Sequence, residues 1–90
     1  MALSRTLDII NAKGLHARAS AKFVETVERH DASATVSRDG QTVSGDSIMG
    51  LLMLAAAKGC TIDVACDGAE AEVLMEALGA LVSSKFGEDD

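Results

Sequence analysis

The spacing of apolar residues changes across Gly14, and this change constrains the fold more than any other feature of the chain. The segment before it, Leu3–Ile10, has alternating apolar positions, which is typical of a half-buried strand. Four residues after it have the spacing of one helix face: Ser20, Phe23, Val24 and Val27. Because glycine has the backbone freedom that such a break requires, the sequence predicts a strand, a turn at Gly14 and then a helix.

His16 falls between the predicted turn and the first turn of the helix. The backbone N–H groups there have no partner within the helix and the helix dipole is positive, so the position favours an anion. Arg18 adds a planar cation suited to phosphate oxygens, and a neutral imidazole nitrogen is a nucleophile. These residues indicate a phosphohistidine site. The alternative, and the commoner case for a histidine in this position, is a surface residue without chemistry.

The rest of the sequence predicts three more strands and two more helices. The Asp39-Gly40 pair is typical of a hairpin turn, and either Asp46 or Ser47 can cap the second helix. The predicted strands are Ala32–Arg38, Gln41–Ser44 and Thr61–Cys66, and the third helix is predicted to bury Ala71, Leu74, Leu78, Leu81 and Val82. The resulting order, β-α-β-β-α-β-α, predicts an α+β fold whose sheet has one face covered by helices and the other in water.

Length and charge limit the possible functions. Residues 1–90 predict one small domain, with no room for a large cleft that holds a cofactor. The net charge of −6 disfavours nucleic acid and anionic membranes as partners. No apolar segment is long enough to cross a bilayer and the N-terminus lacks a secretory signal pattern, so we expect a cytoplasmic protein. Neither histidine belongs to a group with metal-ligand spacing, so we predict no metal site.

The segment that follows Ser47 is apolar nearly all round. A short helix on a small sheet can bury only part of such a surface, and we expect Leu51 and Leu54 to be the buried residues. Three others are then expected to form an exposed apolar patch, which is typical of a surface that binds partner proteins: Ile48, Met49 and Leu52. The alternative is a loop that covers them.

Two segments, Asn11–Ser20 and Ser44–Leu54 followed by Ala57-Lys58-Gly59, have the order and separation of two family signatures. They resemble the signatures of the HPr-like histidine-containing phosphocarriers of bacterial phosphotransferase systems, and the similarity extends from about Leu3 to Leu81. The resemblance implies an open-faced two-layer sandwich, in which a four-stranded antiparallel sheet of order 1-4-2-3 has three helices on one face.

The same resemblance implies a phosphocarrier, not an enzyme, that needs no cofactor. It implies that Nδ1 of His16 accepts a phosphoryl group from enzyme I, which took it from phosphoenolpyruvate, and passes it to an enzyme IIA-type protein. Arg18 and the backbone amide of Ala17 are then expected to hold the phosphoryl oxygens, while Ile48, Met49 and Leu52 bind the partners. The competing class is a small regulatory protein-binding or ligand-binding α/β module without phosphoryl transfer.

Ser47 has two interpretations: a plain helix cap, or a regulatory site. In some relatives of the family the matching serine is phosphorylated by a dedicated kinase, the HPr serine kinase/phosphorylase, so the resemblance makes such a kinase a candidate partner. A phosphate there adds a dianion beside the apolar patch. The modification is expected to sit well at the N-terminus of its own helix while disturbing an acidic partner.

The chain departs from the common family pattern in several places. Ala19 stands where most members have a proline that stiffens the first helical turn. Leu51–Leu54 and the ending Phe86–Asp90 look more like the nitrogen-related branch, whereas Ser47–Gly50 looks more like the sugar-transport branch. The acidic tail, Glu88–Asp90, is expected to be frayed and solvated.

Overall fold

The computed structural model describes residues 2–88, and its helices and strands follow one another in the predicted order. These elements are β1 (Leu3–Asp8), α1 (Ala17–Glu28), β2 (Ser33–Arg38), β3 (Gln41–Ser44), α2 (Ile48–Met53), β4 (Thr61–Asp67) and α3 (Ala71–Ser83), with a short 3₁₀ turn at Lys85–Gly87. Within this range, none of the helices combines the length and the apolar character that a bilayer span requires.

The four strands of the described chain form one antiparallel sheet of order β1-β4-β2-β3, which confirms the predicted topology. The last strand, β4, lies between β1 and β2, and Cys66 is paired with Leu3 on one side and with Ala34 on the other. The β2–β3 hairpin turns at Asp39 and Gly40, whose φ angles of 50° and 82° are both positive. A type I′ turn requires positive φ at both central residues, and the Asp-Gly pair predicts such a turn here.

One face of the sheet carries the core. Along β4, Ile62 and Val64 are buried, while Thr61 before them and Asp63 between them are exposed. The helices cover the buried face, and they contribute the large apolar side chains of the core, among them Phe23, Leu51, Leu74 and Leu78. The predicted buried side of α3 is right apart from Leu81, which is only half-buried, whereas Met75 is buried.

Candidate functional site

A tight turn places His16 at the N-terminus of α1. Gly14, with φ of 64°, donates its N–H to the carbonyl of Asn11 at 3.1 Å, and the Leu15 N–H donates to the carbonyl of Ala56 at 2.8 Å. Leu15 is buried in the core, whereas His16 after it is only partly buried. His16 is the N-cap residue of the helix, and its side chain is 26% exposed.

Three cations lie around the imidazole in an otherwise acidic protein. Lys13, Arg18 and Lys22 line, together with His16, a surface depression of about 310 Å³. The Arg18 side chain is exposed, and it has no hydrogen bond or ion pair with any residue between 2 and 88. His16 and Arg18, the two residues predicted to form the site, therefore line the same depression. The guanidinium of Arg18 is available to bind an anion.

A carboxylate also enters this depression, and it comes from the other end of the chain. Glu88 places Oε2 against Nε2 of His16, and its second oxygen, Oε1, accepts a 3.0 Å hydrogen bond from Nδ2 of Asn11. The expectation of a frayed, solvated tail is therefore wrong for Glu88, because its carboxylate is held by two side-chain donors. Asp89 and Asp90, which the same expectation includes, lie outside the described residues.

The turn before Glu88 is anchored in the core. Phe86 is 1% exposed, and its carbonyl accepts a 2.6 Å hydrogen bond from Nζ of Lys22 on α1. Lys85, Phe86 and Gly87 have φ angles of 59°, 56° and 76°, a run of left-handed conformations that only glycine adopts readily. The buried ring and the Lys22 contact hold this unfavourable backbone, and the backbone directs Glu88 toward His16.

The depression brings a ring nitrogen of His16 close to groups that can bind an anion. Nδ1 of His16 has no hydrogen-bond partner among residues 2–88, whereas Nε2 is occupied by Glu88. The first amides of α1, including that of Ala17, have no intrahelical acceptor. In the described part of the chain no group of three or more His, Cys, Asp or Glu side chains is placed to hold a metal ion.

A second surface lies on α2. Ile48, Met49 and Leu52 are 41%, 69% and 37% exposed, and Met53, which is not among the residues predicted to form the patch, is 70% exposed. Their helix neighbours Leu51 and Leu54 are fully buried. We call the set of Ile48, Met49, Leu52 and Met53 the α2 patch. Such a cluster of large apolar side chains in water is typical of a protein-binding surface.

Ser47, not Asp46, caps this helix. Its Oγ accepts a 3.0 Å hydrogen bond from the Gly50 N–H, and its backbone is extended, as an N-cap requires. Asp46 instead accepts from the Ser44 hydroxyl at 2.5 Å. The Ser47 hydroxyl is thus at the edge of the α2 patch.

Two residues of the site, Asn11 and Glu88, are not predicted from the sequence. Asn11 begins the first signature, but nothing in its local sequence shows that its amide is fully buried. Glu88 is separated from His16 by 72 positions, so no local pattern connects them. The one available signal was Phe86, since an aromatic residue so close to the tail predicts a local anchor.

Known proteins that resemble this chain in sequence and those that resemble it in fold come from the same family. The family model "PTS HPr component phosphorylation site" matches residues 3–84. Phosphocarrier protein HPr of Neisseria meningitidis serogroup A is 46% identical over 88 residues, covering 98% of this chain and 99% of the relative. Phosphocarrier protein NPr of Shewanella violacea is 38% identical over 86 residues, covering 96% of this chain and 94% of the relative. The crystal structure of HPr-C-His from Thermoanaerobacter tengcongensis has a TM-score of 0.93 and 35% identity, covering 98% of this chain and 99% of that one.

Proposed function

The chain belongs to the HPr family of phosphotransferase-system phosphocarriers, and from this premise we propose that Nδ1 of His16 carries the phosphoryl group from enzyme I to enzyme IIA-type proteins. The observation that carries the proposal is the shared depression of His16 and Arg18 at the N-terminus of α1. It combines a nucleophile with two independent sources of positive potential. In the proposal the protein is a carrier, not an enzyme, and works in the cytoplasm, where phosphoenolpyruvate is available.

The proposed step exchanges one phosphorus–nitrogen bond for another. The lone pair on Nδ1 of His16 attacks the phosphorus of the donor's phosphohistidine, and the bond from phosphorus to the donor nitrogen breaks, returning its electron pair to that nitrogen. Nε2 of His16 keeps its proton throughout. The reverse sequence delivers the group to the acceptor histidine. Because donor and product are both phosphohistidines, the carrier has to position the group and neutralise its charge more than supply chemical driving force.

Arg18 and the amide of Ala17 are proposed to neutralise the phosphoryl oxygens. The guanidinium presents parallel N–H donors that match two phosphate oxygens, and its exposed position lets it move onto the group as it arrives. The Ala17 amide adds a fixed donor at the positive end of the helix. Neither group exchanges a proton with the substrate.

The α2 patch is the proposed docking surface for enzyme I and for the IIA-type acceptor. A carrier must release each partner after transfer, so a small, mainly apolar interface suits it better than a large one. Two of the exposed residues, Met49 and Met53, are flexible methionines that adapt to more than one partner.

Ser47 is the proposed regulatory site, with a serine kinase as the further partner. Its hydroxyl caps α2 at the edge of the patch. Phosphorylation adds a charge of about −1.5 to −2 there. This charge is compatible with the helix N-terminus but opposes the docking of an acidic partner.

The test uses radiolabelled phosphoenolpyruvate, enzyme I and the intact protein, followed by mapping of the acid-labile phosphate. The variant His16→Ala is expected to accept no label and to keep its fold, because the side chain contributes nothing to the core. The matched control is His30→Ala, since His30 is the other histidine of the chain, and its Nδ1 lies 2.7 Å from the Thr26 carbonyl at the end of α1. Label retained in His16→Ala, or no label in the parent protein, overturns the proposal and favours the module without phosphoryl transfer.

A further inference from the structure

The Glu88 carboxylate bridges two side chains of the site, Nδ2 of Asn11 and Nε2 of His16. Building on the proposed function, we propose that Glu88 is a positioning residue for phosphoryl transfer: it holds the imidazole in the tautomer that leaves the lone pair on Nδ1. It acts through His16 and has no direct role toward the phosphoryl group.

The orientation of Asn11 determines what each carboxylate oxygen does. Its Nδ2 donates to the Gly14 carbonyl at 2.8 Å and to Oε1 of Glu88 at 3.0 Å, so both neighbours are acceptors and the amide has one consistent assignment. Oε1 is therefore already used by a donor. The second oxygen, Oε2, faces Nε2 of His16.

An ionised carboxylate can only accept hydrogen bonds. Nε2 must therefore carry the proton of the neutral imidazole, and the lone pair is then on Nδ1. Nδ1 is the nitrogen that has no hydrogen-bond partner among residues 2–88. The carboxylate thus fixes the ring rotation and the tautomer together, as the acidic partner of a catalytic histidine does elsewhere.

The Glu88 carboxylate also suits the phosphorylated state of His16. Once Nδ1 bears a phosphoryl group and Nε2 retains its proton, the ring carries positive charge beside the carboxylate. Glu88 takes up no proton when His16 accepts the phosphoryl group or when His16 passes it on. The same contact can therefore be kept in both steps. A carrier that must do both benefits from a partner that stays in place.

Contacts of the neighbouring residues hold Glu88 beside His16. Phe86 buries its ring two residues before it, and Lys22 binds the Phe86 carbonyl from α1. The Glu88 N–H closes the turn by donating to the Lys85 carbonyl at 3.0 Å. The Glu88 side chain is only 15% exposed, so most of it is packed against these neighbours and not in water.

The test compares Glu88→Gln and Glu88→Ala with Glu72→Gln, an exposed carboxylate on α3 outside the depression. Glutamine has one acceptor oxygen, and its NH₂ group must face either Asn11 or His16, both of which need an acceptor. Nitrogen NMR of the imidazole, recorded without any phosphoryl donor, is expected to show a protonated Nε2 and an unprotonated Nδ1 in the parent and in Glu72→Gln. In both Glu88 variants the two nitrogen signals are expected to shift toward a mixture of tautomers.

Rapid-quench phosphorylation by enzyme I supplies the second measurement. Glu88→Ala is expected to accept one phosphate on His16 about tenfold more slowly than the parent, the low end of what outer partners of a functional histidine contribute. Parent-like nitrogen signals and rates in both Glu88 variants overturn this inference while leaving the phosphocarrier role intact. Absence of phosphate on His16 in the parent overturns the proposed function instead, and the NMR result still reports on the tautomer.

Discussion

The Leu15 amide donates a 2.8 Å hydrogen bond to the carbonyl of Ala56, so the loop that carries His16 is bound to the segment that follows α2. Gly14 packs against the same carbonyl. Beyond α2, Ala55 has a φ of 52°, an unusual value for alanine, and the chain thereby turns back toward the loop. The segment that follows α2 therefore connects the helix of the proposed docking patch to the loop of the proposed phosphorylation site.

Gly14→Ala is expected to lower the free energy of unfolding by about 2 kcal/mol or more, since a Cβ there meets both a strained backbone and a backbone neighbour. An ideal Cβ at this position lies 2.5 Å from the Ala56 oxygen. The control is Gly40→Ala, which also has positive φ but has nothing within 4 Å of the added Cβ. Urea denaturation measures both, and equal losses for the two variants contradict a tight contact at Ala56.

Local patterns predict the elements of this fold well because burial on one side imposes a period on each of them. The alternation in β4 and the Asp39-Gly40 turn are properties of short segments, and the structure has both where the sequence places them. The strand order 1-4-2-3 depends on contacts between distant segments, so the family resemblance implies it whereas periodicity does not. The Glu88 contact depends on a turn with unusual backbone angles at Phe86, and the spacing of apolar residues does not predict such a turn.

Two substitutions at Ser47 separate the helix cap from the added charge. Ser47→Ala removes the acceptor for the Gly50 N–H, and we expect it to cost about 1 kcal/mol of stability. Ser47→Asp keeps a good cap and adds a negative charge, so its stability is expected to stay near that of the parent. Phosphorylation by enzyme I at limiting carrier concentration is expected to be slowed in Ser47→Asp alone. If both variants transfer at the parent rate, charge at this position does not control docking.

A carboxylate in the α2 patch is expected to weaken docking while leaving the chemical step unchanged. Met49→Glu places a charge on a side chain that is 69% exposed, so folding is little affected. We expect the KM for this carrier as substrate of enzyme I to rise about tenfold with kcat nearly constant, the pattern of lost uniform binding. Val73→Glu on α3, at 53% exposure, is the matched control and is expected to keep the parent KM. A parent-like KM for Met49→Glu argues that partners bind elsewhere.

Cys66 makes stability depend on alkaline pH. Its side chain is fully buried in the core between β1 and β2, and this burial raises the pKa of the thiol above its ordinary value of 9.0. In the unfolded chain the thiol ionises near its ordinary pKa, whereas in the folded chain it stays protonated, so the folded state binds more protons in that interval. The thiol's contribution is therefore fully present below pH about 9 and is lost as pH rises from there toward the higher folded pKa.

Urea midpoints measured from neutral pH to about pH 10 test this contribution. The parent and Cys60→Ala, which keeps the buried thiol, are expected to show the same alkaline loss of stability. Cys66→Ala is expected to be less stable at neutral pH, because it leaves a small cavity, but to lose less of its stability on the alkaline side. Since the parent and Cys66→Ala share every titratable group except this thiol, the difference between their two slopes isolates the buried thiol. A slope in Cys66→Ala equal to that of the parent would show that this thiol ionises in the core as readily as in water.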